Sequence, residues 1–128
     1  MATIIPEPFK DLFTKAAFAH LATLVKRMKA SRPGALLLDG GDTWQGSATS
    51  LWTNGQDMVD ACKLLGVDVM TGHWEFTYGA ARVEELVKQL KFPFLAGNVK
   101  EKNWGDQVFE PSNIFAPGDL SVAVIGQA

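Results

Sequence analysis

Three short apolar runs, each reached through a segment of helical periodicity, constrain this chain more than any other feature. Over residues 16 to about 30, Phe18, Leu21, Ala22, Val25 and Met28 recur at helical spacing, and Ser31-Arg32-Pro33-Gly34 ends the pattern before a strand at 35–38. A second helix is predicted from about 56 to 65, introduced by Asn54-Gly55 and closed by Gly66, and it feeds a strand at 67–71. A third, from about 79 to 90, carries Val83, Leu86, Val87 and Leu90 in one stripe and leads to a strand at 92–99. Residues 108–110 and 114–115 read weakly as β structure, and 121–126 read strongly as a strand. This alternation predicts an α/β fold, mostly parallel strands joined by right-handed crossovers, with helices on both faces of the sheet.

At 128 residues, 47% hydrophobic and 20% charged, the chain supports one core and no second ordinary domain. The expected division is an irregular lead-in over 1–15, marked by Pro6 and Pro8, and a partial catalytic domain over 16–128. Because Ile125-Gly126-Gln127-Ala128 stops where a functional loop would begin, the chain is expected to be truncated at that end. A net charge of −2 argues against nucleic-acid binding, and the basic cluster Lys26, Arg27, Lys29 and Arg32 is assigned to a solvated helix end. No stretch approaches the roughly twenty apolar residues of a membrane span, and the start lacks the basic and apolar regions of a signal peptide. The single cysteine, Cys62, excludes an intramolecular disulfide and reads as a small apolar residue packed on a helix.

Chemistry concentrates at the strand ends. Leu36-Leu37-Leu38-Asp39-Gly40-Gly41-Asp42 delivers a glycine-flanked acid at the carboxyl end of one strand, where open α/β sheets place their sites. Asp42 reads equally as a metal ligand, able to bridge two divalent ions, and as the acid of an Asx turn. Asp39 is the poorer ligand and reads as a hydrogen-bonded support. The next strand ends in Gly72-His73-Trp74-Glu75, so His73 offers an imidazole to the same rim, although a lone histidine is more often structural. Glu75 is favoured as the acid of a helix's first turn over a ligand or general acid. Asn98 stands at a third strand end, as a ligand contact or as an ordinary turn residue.

Of the four tryptophans, Trp44, Trp52 and Trp74 fall beside these loops, as pocket or partner contacts or as core. His20, beside Phe18 and Leu21, is assigned a partly buried structural role. The glycine-rich loop lacks the Gly-Lys-Ser/Thr ending of a phosphate-binding Walker loop, and no dinucleotide fingerprint is present.

These residues resemble a known family. Gly41-Asp42-Thr43-Trp44-Gln45-Gly46-Ser47, Gly72-His73-Trp74-Glu75-Phe76-Thr77-Tyr78-Gly79 and Ala96-Gly97-Asn98-Val99 are similar to the segments of the 5′-nucleotidase-like binuclear metallophosphoesterases. That family reads Gly-Asn-His-Glu in the second segment, so His73 stands at its metal-binding Asn and Trp74 at its transition-state His. The substituted form, with Leu51-Trp52-Thr53-Asn54-Gly55-Gln56-Asp57-Met58-Val59 and the 18–27 segment, resembles the SoxB family of thiosulfohydrolases.

The resemblance implies part of a calcineurin-like layered metallophosphoesterase sandwich, truncated at both ends, a periplasmic location and a pair of manganese ions that activate water. Asp42 and His73 match ligands of that pair, and Trp44, Trp74, Glu75 and Asn98 stand as substrate contacts or supports for the ligands. It further implies hydrolysis of a cysteine S-thiosulfonate on the sulfur carrier protein SoxYZ with release of sulfate, and no nucleic-acid or membrane partner. The family's remaining ligands have no counterpart within these residues, so the 128-residue chain is expected to be inactive and to bind manganese weakly. A nucleotidase or phosphomonoesterase of the same fold and a metal-free binding module are the alternatives.

Overall fold

The computed structural model describes the backbone of residues 7–128 and side chains from Phe18 onward, and the irregular start expected for residues 1–6 lies outside that range. The chain divides into two compact units, Met1–Pro33 and Gly34–Ala128. In the first, helix α1 runs Glu7–Ala30 and so begins nine residues earlier than its apolar period suggests, since Ala16 is the first residue of that period. Pro8 falls in the opening turn, where an N–H would have no intrahelical partner, so proline there starts a helix instead of breaking one. Arg27 and Lys29 lie in the last turn and complement the helix dipole. His20, expected to be partly buried, is exposed, and so are Leu21, Leu24 and Met28, which neighbour one another at helical spacing.

In the second unit, β1 (Leu38–Asp39) pairs in parallel with β2 (Val69–Met70), with Leu38 opposite Val69 and Asp39 opposite Met70. Parallel bridges extend this arrangement from Met70 to Phe94 and from Leu95 to Glu110. The last pair differs: β3 (Ser112–Phe115) and β4 (Val122–Ile125) form an antiparallel hairpin around Pro117-Gly118. A connection this short cannot make the crossover that parallel strands require. The named strands therefore form two two-stranded sheets, β1-β2 parallel and β3-β4 antiparallel, with single bridges between the segments that separate them.

Helix α3 (Gln56–Leu65) has the predicted bounds, and Gly66 ends it at φ +80°, a left-handed position that glycine adopts at no steric cost. Helix α4 (Ala80–Val87) is shorter than expected, with single turns continuing to Leu90. Helix α2 (Ala48–Thr53) occupies what read as loop. Its start is a reciprocal cap: the Ser47 hydroxyl accepts from the Ser50 N–H at 3.0 Å, while the Ser47 N–H donates to Ser50 Oγ at 3.2 Å.

The core beneath these elements comprises Val59, Cys62, Val69, Met70, Val83, Leu86, Phe94, Leu95 and the fully buried Trp44. Phe94 lies at its centre, with ring centroids 5.9 Å from Trp44, 6.4 Å from Phe76 and 4.9 Å from Phe109. Leu38 and Ile125 are exposed beside an apolar hollow of about 170 Å³, and Ile114 is exposed on the hairpin.

Candidate functional site

Parallel pairing of β1 with β2 brings the segment after Asp39 alongside the segment after Met70, because both strands end at the same edge. The approach is close. A Cβ on Gly41 would lie 2.8 Å from the Gly72 carbonyl carbon and 2.9 Å from the His73 nitrogen, and Gly41 has φ +85°. Only a residue without a side chain satisfies both conditions. The next residue, Asp42, also has a left-handed backbone, at φ +59°, a region that Asp and Asn tolerate better than other side chains.

Two buried or half-buried carboxylates hold this turn. Asp39 Oδ1 accepts the Gly41 N–H at 3.0 Å and the Thr43 hydroxyl at 2.7 Å, which makes Asp39 the hydrogen-bonded support that its place in a strand suggested. Glu75 is 0% exposed and carries four backbone N–H groups. Its Oε1 accepts from Thr43 at 2.7 Å and Trp44 at 3.1 Å, and its Oε2 from Asp42 at 3.0 Å and His73 at 2.6 Å. Several N–H donors on one carboxylate offset its removal from water. Glu75 lies in the first turn of the 3₁₀ segment Trp74–Tyr78, as expected for an acid there, yet its side chain serves the neighbouring loop. The resemblance places Glu75 among substrate contacts or supports for the ligands, and the structure makes it a support of the loop backbone; its burial is the part the residues did not announce, and the signal for it is a carboxylate flanked by Trp74 and Phe76.

The side chains of Asp42 and His73 are exposed on these abutting loops. A carboxylate and an imidazole are both donors that first-row divalent cations accept, so the two fit as part of a metal centre. Among the described residues, no group of three or more His, Cys, Asp and Glu side chains is placed to hold a metal ion. The abutting loops thus carry two donors, and among the described residues no His, Cys, Asp or Glu side chain joins them as a third.

The remaining candidates separate. Trp74 is 55% exposed, with its ring centroid 6.0 Å from that of His73, and so stands on the rim. Trp44 does not line a pocket: its side chain is fully buried, and its carbonyl accepts from the Tyr78 hydroxyl at 2.6 Å. Asn98 makes a two-point contact with the backbone of Ala128, donating from Nδ2 at 2.6 Å and accepting the Ala128 N–H at 2.8 Å.

Cys62 reaches the underside of the site. It is 1% exposed and its thiol donates to Asp39 Oδ2 at 3.8 Å. Burial first, then the negative charge of Asp39 and this hydrogen bond, with a smaller push from Glu75, raise its pKa from 9.0 to about 12. The Trp44 indole, which has no hydrogen bond of ordinary geometry, offsets this only in part. A thiol so disposed is protonated and unreactive at neutral pH.

The solved structures that resemble the chain have calcineurin-like phosphoesterase and 5′-nucleotidase folds. The sulfate thiohydrolase SoxB of Thermus thermophilus, solved in complex with glycerol, superposes with a TM-score of 0.78 and 41% identity, over 83% of this chain and 20% of that one. The NAD nucleotidase of Haemophilus influenzae superposes at 0.75 with 21% identity over 86% and 22%, a likeness of fold alone. By sequence, bovine 5′-nucleotidase is 32% identical over 114 residues, 84% of this chain and 20% of the relative. Protein UshA of Salmonella pullorum is 36% identical over 94 residues, 73% and 17%. No protein-family profile matches the chain. The chain belongs to the 5′-nucleotidase-like superfamily and spans about a fifth of the length of the relatives it matches.

Proposed function

We propose that these residues form part of a metal-dependent thiosulfohydrolase of the SoxB type, in which Asp42 and His73 are ligands of a pair of manganese ions. The substrate on this reading is a cysteine S-thiosulfonate carried by the SoxYZ protein, and the location is the periplasm. The bond broken is the one between the terminal sulfonate and the sulfur that carries it, water supplies the incoming oxygen, and sulfate leaves. Bound metal supplies a water of lowered pKa and positive charge for the sulfonate oxygens. The chain's own residues hold the two donors in place and present Trp74 on the rim beside them.

The observation that carries this reading is the 41% identity to SoxB, set against 21% and 23% for nucleotidase structures compared in the same way. Trp74 beside His73 supports it, because a nucleotidase of this superfamily is expected to keep a histidine where Trp74 stands. A second reading, a 5′-nucleotidase or phosphomonoesterase, is favoured by the sequence relatives, which are 5′-nucleotidases and UshA proteins at 31–36% identity. The test is turnover by the protein carrying these residues with manganese present. Sulfate release from thiosulfonate-loaded carrier without hydrolysis of nucleoside monophosphates supports the first reading, and the reverse pattern replaces it with the second.

A further inference from the structure

The N–H groups of Asp42, Thr43 and Trp44 all point at one carboxylate. Successive amides converge in this way when a left-handed residue precedes ordinary ones, and the hollow they form binds anions. Here the anion belongs to the same chain. Glu75, fully buried, fills the hollow, and the hollow exists only while Asp42 keeps its φ of +59°. A residue other than glycine stays in that region when its surroundings hold it there.

Trp44 is gripped from both sides. Its N–H donates to Glu75 and its C=O accepts from the Tyr78 hydroxyl, and both partners belong to the same 3₁₀ turn. His73, which opens that turn, donates its N–H to the Glu75 oxygen that Asp42 also uses. The turn therefore fixes the acid-bearing loop relative to the imidazole through side chains that reach neither donor's side chain.

We infer that Glu75 and Tyr78 are positioning residues for Asp42: they lock its left-handed backbone and set its place relative to His73 before any cation arrives. The inference rests on the reading of Asp42 and His73 as metal ligands. Tyr78 is the sharper probe, because Tyr78→Phe removes one hydroxyl and leaves the ring in place. Glu75→Gln retains volume but brings an NH₂ group against backbone donors, so it disturbs the lock more and tests folding as well.

The experiment is hydrogen exchange on the metal-free form of the larger protein that the proposed function assigns to these residues, followed by manganese titration of that protein monitored by electron paramagnetic resonance of the free ion. In Tyr78→Phe, amides 42–44 are expected to exchange about tenfold faster while those of α3 keep their protection, and manganese affinity is expected to fall toward the 10–100-fold loss typical of groups that orient ligands. In Glu75→Gln both effects are expected to be larger. Unchanged exchange at 42–44 in Tyr78→Phe overturns the inference, and so does faster exchange with manganese affinity equal to that of the parent. Failure of the parent protein to bind manganese refutes the ligand reading instead, since exchange is read without metal.

Discussion

Asp42 and His73 donate their backbone N–H groups to the same atom, Glu75 Oε2, at 3.0 and 2.6 Å. The acid and the imidazole are therefore tied through main chain, and their side chains are left exposed for other work. The contact depends on the two loops packing backbone to backbone at Gly41. Gly41→Ala sets a Cβ against the Gly72 carbonyl carbon and asks alanine to hold φ +85°. The backbone conformation alone costs about 1–3 kcal/mol, and the collision adds to it. Urea unfolding is expected to show a loss at least that large, and a variant as stable as the parent would show that the loops do not pack this way.

The tryptophans divide by burial, and truncation is expected to follow. Trp44 is fully buried against Phe94, so Trp44→Ala is expected to cost about 3–5 kcal/mol. Trp104 is 85% exposed, on a loop whose shape comes from Glu101 accepting the Asn103 and Trp104 N–H groups, both at 2.8 Å. Trp104→Ala is expected to change stability by less than about 0.5 kcal/mol. Denaturation of the two variants, followed by circular dichroism so that the lost fluorophore does not interfere, checks both values.

These two tryptophans also show what was legible in the sequence. Nothing local distinguishes Trp44 from Trp104, because burial is decided by which segments meet, and that depends on parallel pairing between distant strands. Helix α3 was legible to the residue, since its apolar stripe, its Asn-Gly start and its Gly66 stop agree. Helix α2 was not: Ala48–Thr53 has no apolar period, and its start rests on two serines that cap each other. Asp42, His73 and Glu75 were legible as residues at or just beyond a strand end, whereas the burial of Glu75 and its bonds to both loops were not, because those arise only once the two distant strands pair and their loops meet.

The chain ending at Ala128 brings two candidate donors to the rim, and no described group of three completes a metal centre. Isothermal titration of residues 1–128 with manganese is expected to give weak binding and less than the two ions per chain proposed for the whole protein. In the larger protein proposed, Asp42→Asn, which suits the left-handed backbone at that position, and His73→Ala are each expected to lower manganese affinity while leaving the melting temperature of the metal-free form within a few degrees, since both side chains are exposed. Two tightly bound ions in the 128-residue chain would contradict the assignment of these two residues as a partial set.

The buried thiol sets an alkaline limit on stability. Cys62 has its pKa raised from 9.0 to about 12 by burial and by Asp39, so between these values the unfolded chain has lost a proton that the folded chain keeps. The unfolded state then binds fewer protons, and stability must fall as pH rises. The contribution is intact below about pH 9 and is progressively lost up to about pH 12. Removing the thiol removes the effect. Cys62→Ala is expected to flatten the decline in unfolding free energy across that window, at the cost of a small cavity and of the donor to Asp39. The same burial predicts that a thiol reagent such as iodoacetamide leaves the native chain unlabelled at pH 8 and labels it once urea unfolds it. Labelling of the native chain at the rate of the unfolded one would show that Cys62 is open to solvent and that the raised pKa has no basis.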